Sequence, residues 1–211
     1  MNDTKDMKEP KKPLFKICGL TRPEDAVLVA ALGADMCGFI FHPKSPRRVS
    51  PKQARLLATP AARRVGVFVD QSLPEILEIM EEACLDAAQL HGRQGPEVAS
   101  ALGFYRSIRV FWPERQSPAE LQEQMDQWKE LAHLFLFDAG SGAGGHGRPI
   151  NAVIPESPAD YLLAGGLTPD SVWRKWPPED PKMVGFDVNS GVESSPGVKD
   201  REALRRLLLF R

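Results

Sequence analysis

Cys18 closes the first strongly apolar run of the chain, Leu14-Phe15-Lys16-Ile17, and is followed by Gly19-Leu20-Thr21-Arg22-Pro23-Glu24-Asp25, which reads as a turn and the start of a helix. A side chain at the carboxyl end of a strand, just before such a turn, is where α/β proteins keep their reactive groups. A thiol does chemistry there as the thiolate. Since the free group titrates near about 8.5, a positive potential or hydrogen bonds must help it ionise at neutral pH. Asp138 ends the run Leu134-Phe135-Leu136-Phe137 in the same manner, and the glycine-rich stretch from Ala139 to Arg148 follows it. Such a stretch can fold over a ligand and exclude water. Two further glycine loops follow late apolar runs: Ala164-Gly165-Gly166-Leu167 and Asn189-Ser190-Gly191-Val192-Glu193. Without a Cβ in the way, backbone N–H groups converge on an anion. Either loop alone is more often an ordinary turn; two after consecutive strands point to a phosphate.

The elements that must position these groups alternate along the chain. Leu14 to Cys18, Met36 to Phe41, Val65 to Val69, Ala87 to Leu90, Tyr105 to Phe111, Leu134 to Phe137, Tyr161 to Ala164 and Val184 to Val188 are eight candidate strands. Their apolar character is nearly continuous, as in strands buried on both faces of a parallel sheet. Between them, Arg22-Pro23-Glu24-Asp25, Ser50-Pro51, Ser72-Leu73-Pro74, Gly95-Pro96, Ser117-Pro118 and Thr168-Pro169 read as helix starts, with proline or acids in the first turn. Eight βα units with right-handed crossovers close a sheet, so a single α/β (βα)8 TIM barrel over residues 13–211 is the favoured architecture, with an open doubly wound sheet as the runner-up. The element after the sixth strand, around Pro149 to Ile154, is the weakest helix. The segment from Asp200 to Phe210 closes the chain as a helix with Leu204, Leu207 and Leu208 on one face. Met1 to Lys12 is charged, poor in apolar residues, and reads as a disordered tail.

Composition narrows the class of partner. With 211 residues and a formal net charge of -1, the chain is large enough for a sizeable core and carries no long basic block beyond its first dozen positions, so neither nucleic acid nor a membrane surface is expected. A small molecule is the better expectation. Three cysteines, Cys18, Cys37 and Cys84, are odd in number and widely spaced, which argues against a disulfide framework or a zinc cage and for a reduced, cytoplasmic protein. Cys37 and Cys84 read as core residues. His42, His91 and His133 have no metal-ligand spacing, so no metal is expected. No apolar run approaches the roughly 20 residues that cross a bilayer. The chain could be a monomer or a homodimer. Its 19 prolines exceed the roughly 5% average usage, which suggests stiff connections.

Five segments taken together carry a family resemblance. Lys16-Ile17-Cys18-Gly19-Leu20-Thr21, Gly38-Phe39-Ile40-Phe41-His42-Pro43-Lys44-Ser45-Pro46-Arg47, Gln89-Leu90-His91-Gly92, Leu163-Ala164-Gly165-Gly166-Leu167 and Asp187-Val188-Asn189-Ser190-Gly191-Val192-Glu193 resemble, in order, the signatures of the phosphoribosylanthranilate isomerases. The resemblance implies a (βα)8 barrel of tryptophan biosynthesis that performs an Amadori rearrangement of a sugar phosphate without a cofactor. It implies Cys18 as general base and Asp138 as general acid. Arg47, rather than Arg48, would recognise the anthranilate carboxylate, because a guanidinium makes two parallel hydrogen bonds to it. Gln89, His91 and Asp187 would line the mouth near the substrate, although His91 could equally be a structural histidine. Gly165, Gly166, Asn189, Ser190 and Gly191 would hold the phosphate, chiefly through backbone N–H groups. Departures from the family pattern are His146 between the last two glycines of the Gly-rich stretch, Ile150-Asn151-Ala152 after it, and Asn189 in place of serine. Two other readings remain. A related barrel isomerase of histidine biosynthesis resembles a site with two aspartates, which Cys18 counts against, and a non-catalytic sugar-phosphate sensor would have little reason to keep both Cys18 and Asp138. Indoleglycerol-phosphate synthase shares the phosphate loops, but its lysine motifs are not visible.

Overall fold

The computed structural model describes residues 12–139 and 152–209. The N-terminal tail and the Gly-rich stretch with His146, Ile150 and Asn151 therefore lie almost wholly outside the described residues. Eight parallel strands close into a barrel in sequence order: β1 (Leu14–Ile17), β2 (Met36–Ile40), β3 (Arg63–Phe68), β4 (Ala87–Leu90), β5 (Ser107–Phe111), β6 (Leu134–Phe137), β7 (Tyr161–Leu163) and β8 (Met183–Val188). All eight expected strands are present and the closed alternative is the one adopted. Cys18, Phe41, Val69 and Ala164 fall one residue beyond their strands, and Tyr105 lies in a 3-10 turn, Phe104–Arg106.

Side-chain alternation divides the core in two. Met36, Val65, Ala87, Ile108, Val110 and Leu136 belong to one buried cluster that fills the barrel interior. Residues on the opposite face of the strands, including Phe15, Cys37, Phe39, Phe111, Phe135 and Phe137, belong to a second cluster beneath the surrounding helices. Because both faces of each strand are buried, the strands read as continuous apolar runs. The β7–β8 pairing carries a register shift after Tyr161, so that Leu162 pairs with Gly185. A Cβ on Gly185 would lie 2.0 Å from the Leu14 carbonyl oxygen, so this closing seam requires glycine.

The helices are α1 (Pro23–Ala31), α2 (Pro51–Leu56), α3 (Leu73–Glu82), α4 (Pro96–Leu102), α5 (Pro118–Trp128), α6 (Pro169–Trp173) and α7 (Arg201–Leu208). Their starts follow the local chemistry read from the sequence. The Ser50, Ser117 and Thr168 hydroxyls accept hydrogen bonds from the third helical N–H of α2, α5 and α6, with the third residue's side chain returning a bond to the cap. No helix forms among residues 152–160, so the described part of the segment expected near Pro149 to Ile154 is irregular chain. Cys84 is also corrected: it is exposed, at φ 51° just past the end of α3, a turn position that directs its side chain away from the core. A short antiparallel hairpin, β9 (Glu193–Ser195) and β10 (Val198–Lys199), follows β8 and was not anticipated. It is tied to the loop after β1 by the Thr21 hydroxyl donating to the Gly197 carbonyl at 2.6 Å. Among the described residues no helix is long and apolar enough to cross a membrane.

The Asp200 carboxylate caps α7 by accepting from the Glu202 and Ala203 N–H groups, and Leu204, Leu207 and Leu208 are buried. Leu204→Ala should lower unfolding free energy by about 2–5 kcal/mol in urea titration. A loss below about 0.5 kcal/mol would show that this face does not complete the core.

Candidate active site

A cavity of about 600 Å³ opens at the carboxyl ends of the strands. Cys18, Arg47, Gln89, His91, Asp138, Gly165, Gly166, Asp187, Asn189 and Ser190 all line it. Gly191 does not line the cavity. It lies where a Cβ would be 1.8 Å from the Leu167 carbonyl oxygen, so its bare backbone lets the loop after β8 press on the loop after β7. Gly165 and Gly166 have φ of 91° and 57°, left-handed conformations that favour glycine. Asp138 sits beside this loop, with one carboxylate oxygen 3.2 Å from the position of a Gly165 Cβ.

Beneath the cavity floor lies a lysine that the sequence reading passed over. Lys16 is fully buried, and its Nζ donates to both oxygens of Asp187 at 3.0 Å. Register explains the pairing: Lys16 stands directly beside Asp187 across the β1–β8 ladder, so both side chains enter the interior. Lys16 and Cys18, two residues apart, share that face. Gly38 on β2 makes room for both, since its Cβ would lie 2.8 Å from the Cys18 Sγ and 3.0 Å from the Lys16 Nζ. Burial pushes the Cys18 thiol above its ordinary value, with Lys16 pulling down, Asp187 pushing up and Lys199 pulling down. Burial also raises the Asp187 carboxyl against the pull of Lys16. For Lys16, burial acts to lower the ammonium, but Asp187 and Cys18 outweigh it and hold it above its usual range. Cys37, on the outer face of β2, is driven by burial to about 12, as befits a core thiol.

Arg47 reaches the cavity from the loop after β2. Its Nε donates to both oxygens of Glu193 at 3.0 Å and its Nη2 donates at 2.7 Å, which fixes the plane of the guanidinium. Glu193 also accepts from Lys199 Nζ at 2.9 Å, and Lys199 donates further to the Asn189 side-chain and backbone oxygens. Although burial works against its charge, these cations hold the Glu193 carboxyl below its usual range. The unanticipated hairpin thus places both Glu193 and Lys199. Across the mouth, the Gln89 amide nitrogen is 3.3 Å from His91 Nδ1, and His91 Nε2 is 3.8 Å from Asp138 Oδ2. Trp112 packs edge-on against the His91 ring. Burial lowers His91 to about 4, so the imidazole is neutral at physiological pH. Among the described residues no group of His, Cys, Asp and Glu could hold a metal ion.

Geometry of this kind has close counterparts. Residues 15–209 match the family model described as N-(5'phosphoribosyl)anthranilate (PRA) isomerase. The N-(5'-phosphoribosyl)anthranilate isomerase of Desulfovibrio desulfuricans is 46% identical, over 92% of this chain and 93% of the relative. The crystal structure of phosphoribosyl anthranilate isomerase from Thermus thermophilus superposes with a TM-score of 0.76 at 38% identity, covering 93% of this chain and 96% of the other. Another phosphoribosyl anthranilate isomerase, solved with reduced 1-(o-carboxyphenylamino)-1-deoxyribulose 5-phosphate, gives a TM-score of 0.74 at 28% identity over 93% and 97% of the two chains. The shared fold, the family-model match along nearly the whole described sequence and the identity to curated relatives lead to one conclusion: this chain belongs to the N-(5'phosphoribosyl)anthranilate (PRA) isomerase family.

Proposed function

We propose that the protein converts N-(5-phosphoribosyl)anthranilate to 1-(2-carboxyphenylamino)-1-deoxyribulose 5-phosphate in tryptophan biosynthesis, in the cytoplasm, with Cys18 as general base and Asp138 as general acid. The observation that carries this reading is the convergence of a thiol from the end of β1 and a carboxyl group from the end of β6 on one cavity, rimmed by the glycine loops of β7 and β8. Family membership supports the reaction, and the reduced product held by a relative supports a sugar phosphate as ligand.

The chemistry follows from the substrate's own nitrogen. Asp138 donates a proton to the ribose ring oxygen as the bond from that oxygen to C1 breaks, and the nitrogen lone pair forms the Schiff base. The Cys18 thiolate then takes the C2 proton, whose electrons move into a C1–C2 double bond and neutralise the nitrogen. Tautomerisation of this enolamine, with a proton delivered to C1, leaves the ketone at C2. No cofactor enters, because the Schiff-base nitrogen is the electron sink. The phosphate is received by N–H groups of Gly166 and Ser190, with Gly165 and Asn189 shaping the loops and Gly191 letting them meet. The anthranilate carboxylate meets the Nη1 edge of Arg47, whose Nε and Nη2 are committed to Glu193. Gln89 and Asp187 contact the sugar. Neutral His91, its Nε2 3.8 Å from Asp138, orients the acid without titrating near neutrality.

An assay with purified protein and N-(5-phosphoribosyl)anthranilate should show saturable turnover; binding without turnover would reject the isomerase in favour of a sensor. Cys18→Ala and Asp138→Asn should each lower kcat by at least about a hundredfold while phosphate still binds, as loss of an acid or base predicts. In an NMR titration, the His91 ring should stay neutral from pH 8 down to a midpoint of about 4. Its protonation would then cost stability as pH falls from the unfolded value near 6.5 toward that midpoint, since the unfolded chain takes up the proton first. A ring midpoint near 6.5 would contradict the neutral orienting role.

A further inference from the structure

Resting on the reading that Cys18 is the base, we propose that Lys16 is the counter-ion of the Cys18 thiolate, a positioning residue held in place by Asp187 beside it. Lys16 Nζ is wholly withdrawn from solvent inside the barrel, and both oxygens of Asp187 receive it at 3.0 Å. An ammonium group has three N–H donors, so the pair of bonds to Asp187 leaves one for the sulfur, whose charge acts on Lys16. The bare Cα of Gly38 is what permits this approach, because the space its Cβ would take is bounded by Sγ and Nζ together.

The other charges around the sulfur do not supply the same service. Lys199, on β10, is the second cation acting on Cys18, but its donors are spent on Glu193 at 2.9 Å and on the two Asn189 oxygens at 3.0 and 3.3 Å. Its charge is therefore offset by a carboxylate in contact. Cys37, on the adjacent β2, is a neutral core thiol, while Asp187, on β8, opposes a thiolate. His91 and Asp138, across the mouth, act on Asp187. Lys16 is thus the cation that borders the sulfur most directly, and it is shared between two anions. In the unliganded protein Asp187 claims most of it and the thiol stays protonated. A substrate hydroxyl that donates to Asp187 would spread the carboxylate's charge and release part of the ammonium to the sulfur. The thiol proton leaves to water through the open mouth, and Lys16 keeps all three of its own protons.

This arrangement makes a prediction of opposite signs that a merely structural ion pair would not. The readout is the pH dependence of Cys18 alkylation by iodoacetamide, followed by mass spectrometry of the Cys18 peptide so that exposed Cys84 does not interfere, alongside the pH profile of kcat/KM. Asp187→Asn should move the alkylation midpoint to lower pH. Lys16→Met should move it to higher pH and slow alkylation at neutral pH by at least about tenfold, which corresponds to one unit of thiol ionisation. Because Lys16→Met strands a buried carboxylate and can fail to fold, the double variant Lys16→Met/Asp187→Asn, which removes both charges together, is compared with Asp187→Asn. That comparison isolates Lys16 and should show the same upward move. Equal midpoints in these two proteins, or shifts of the same sign in the two single variants, would overturn the proposal. Wild-type protein that alkylates as expected yet turns over no substrate would instead reject the isomerase reading and leave the counter-ion role standing.

Discussion

One buried ion pair inside the barrel, Lys16 with Asp187, is the constraint to which the site is answerable. Withdrawing two charges from water costs several kcal/mol per ion, and their mutual attraction offsets this only when geometry is good and the remaining donors and acceptors are satisfied. Both conditions depend on the β1–β8 ladder, which places the two residues side by side, and therefore on barrel closure itself. A shift of one residue in that ladder would turn either side chain into the aromatic layer outside. Closure and the electrostatics beneath Cys18 are thus one problem solved once.

Glycine does the spatial work that charge cannot. Gly185 lets β8 lie against β1, Gly38 lets the sulfur and the ammonium share a wall, and Gly191 lets the two late loops touch. Each stands where a Cβ would meet another atom at 3.0 Å or less, so the mouth is shaped by subtraction as well as by its polar side chains. Around it, the hairpin after β8 brings Glu193 against Arg47 and Lys199, converting a flexible arginine into a fork of fixed orientation. That orientation costs the loop little at the moment of binding because it is already in place.

Much of this was legible in the sequence, and the exceptions have physical reasons. The eight strands were readable because burial on both faces leaves continuous apolar runs, and six helix starts because proline in the first turn announces each, joined in four of them by a hydroxyl residue at the cap. Cys18, Asp138 and the glycine loops were found by position, each following a strand. Lys16 is hidden because it sits within such an apolar run; a lysine among residues destined for full burial is the available signal. The Glu193 and Lys199 contacts were hidden because they arise from a hairpin too short to show periodicity. Cys84 misled because residue type favours burial for cysteine, whereas its place after α3 demands a left-handed turn. What activates the thiol could not be read at all, since it depends on register between strands 171 residues apart in the chain.

The central claim is that the sulfur of Cys18, as thiolate, removes the proton from C2 of the sugar. Single-turnover kinetics with substrate carrying hydrogen or deuterium at C2, followed across pH, tests it most directly. The account predicts a normal primary isotope effect on a step whose rate rises with pH along the same curve as direct titration of the Cys18 thiol in the substrate complex. A step insensitive to deuterium, or one whose pH dependence is unrelated to that thiol, would contradict it.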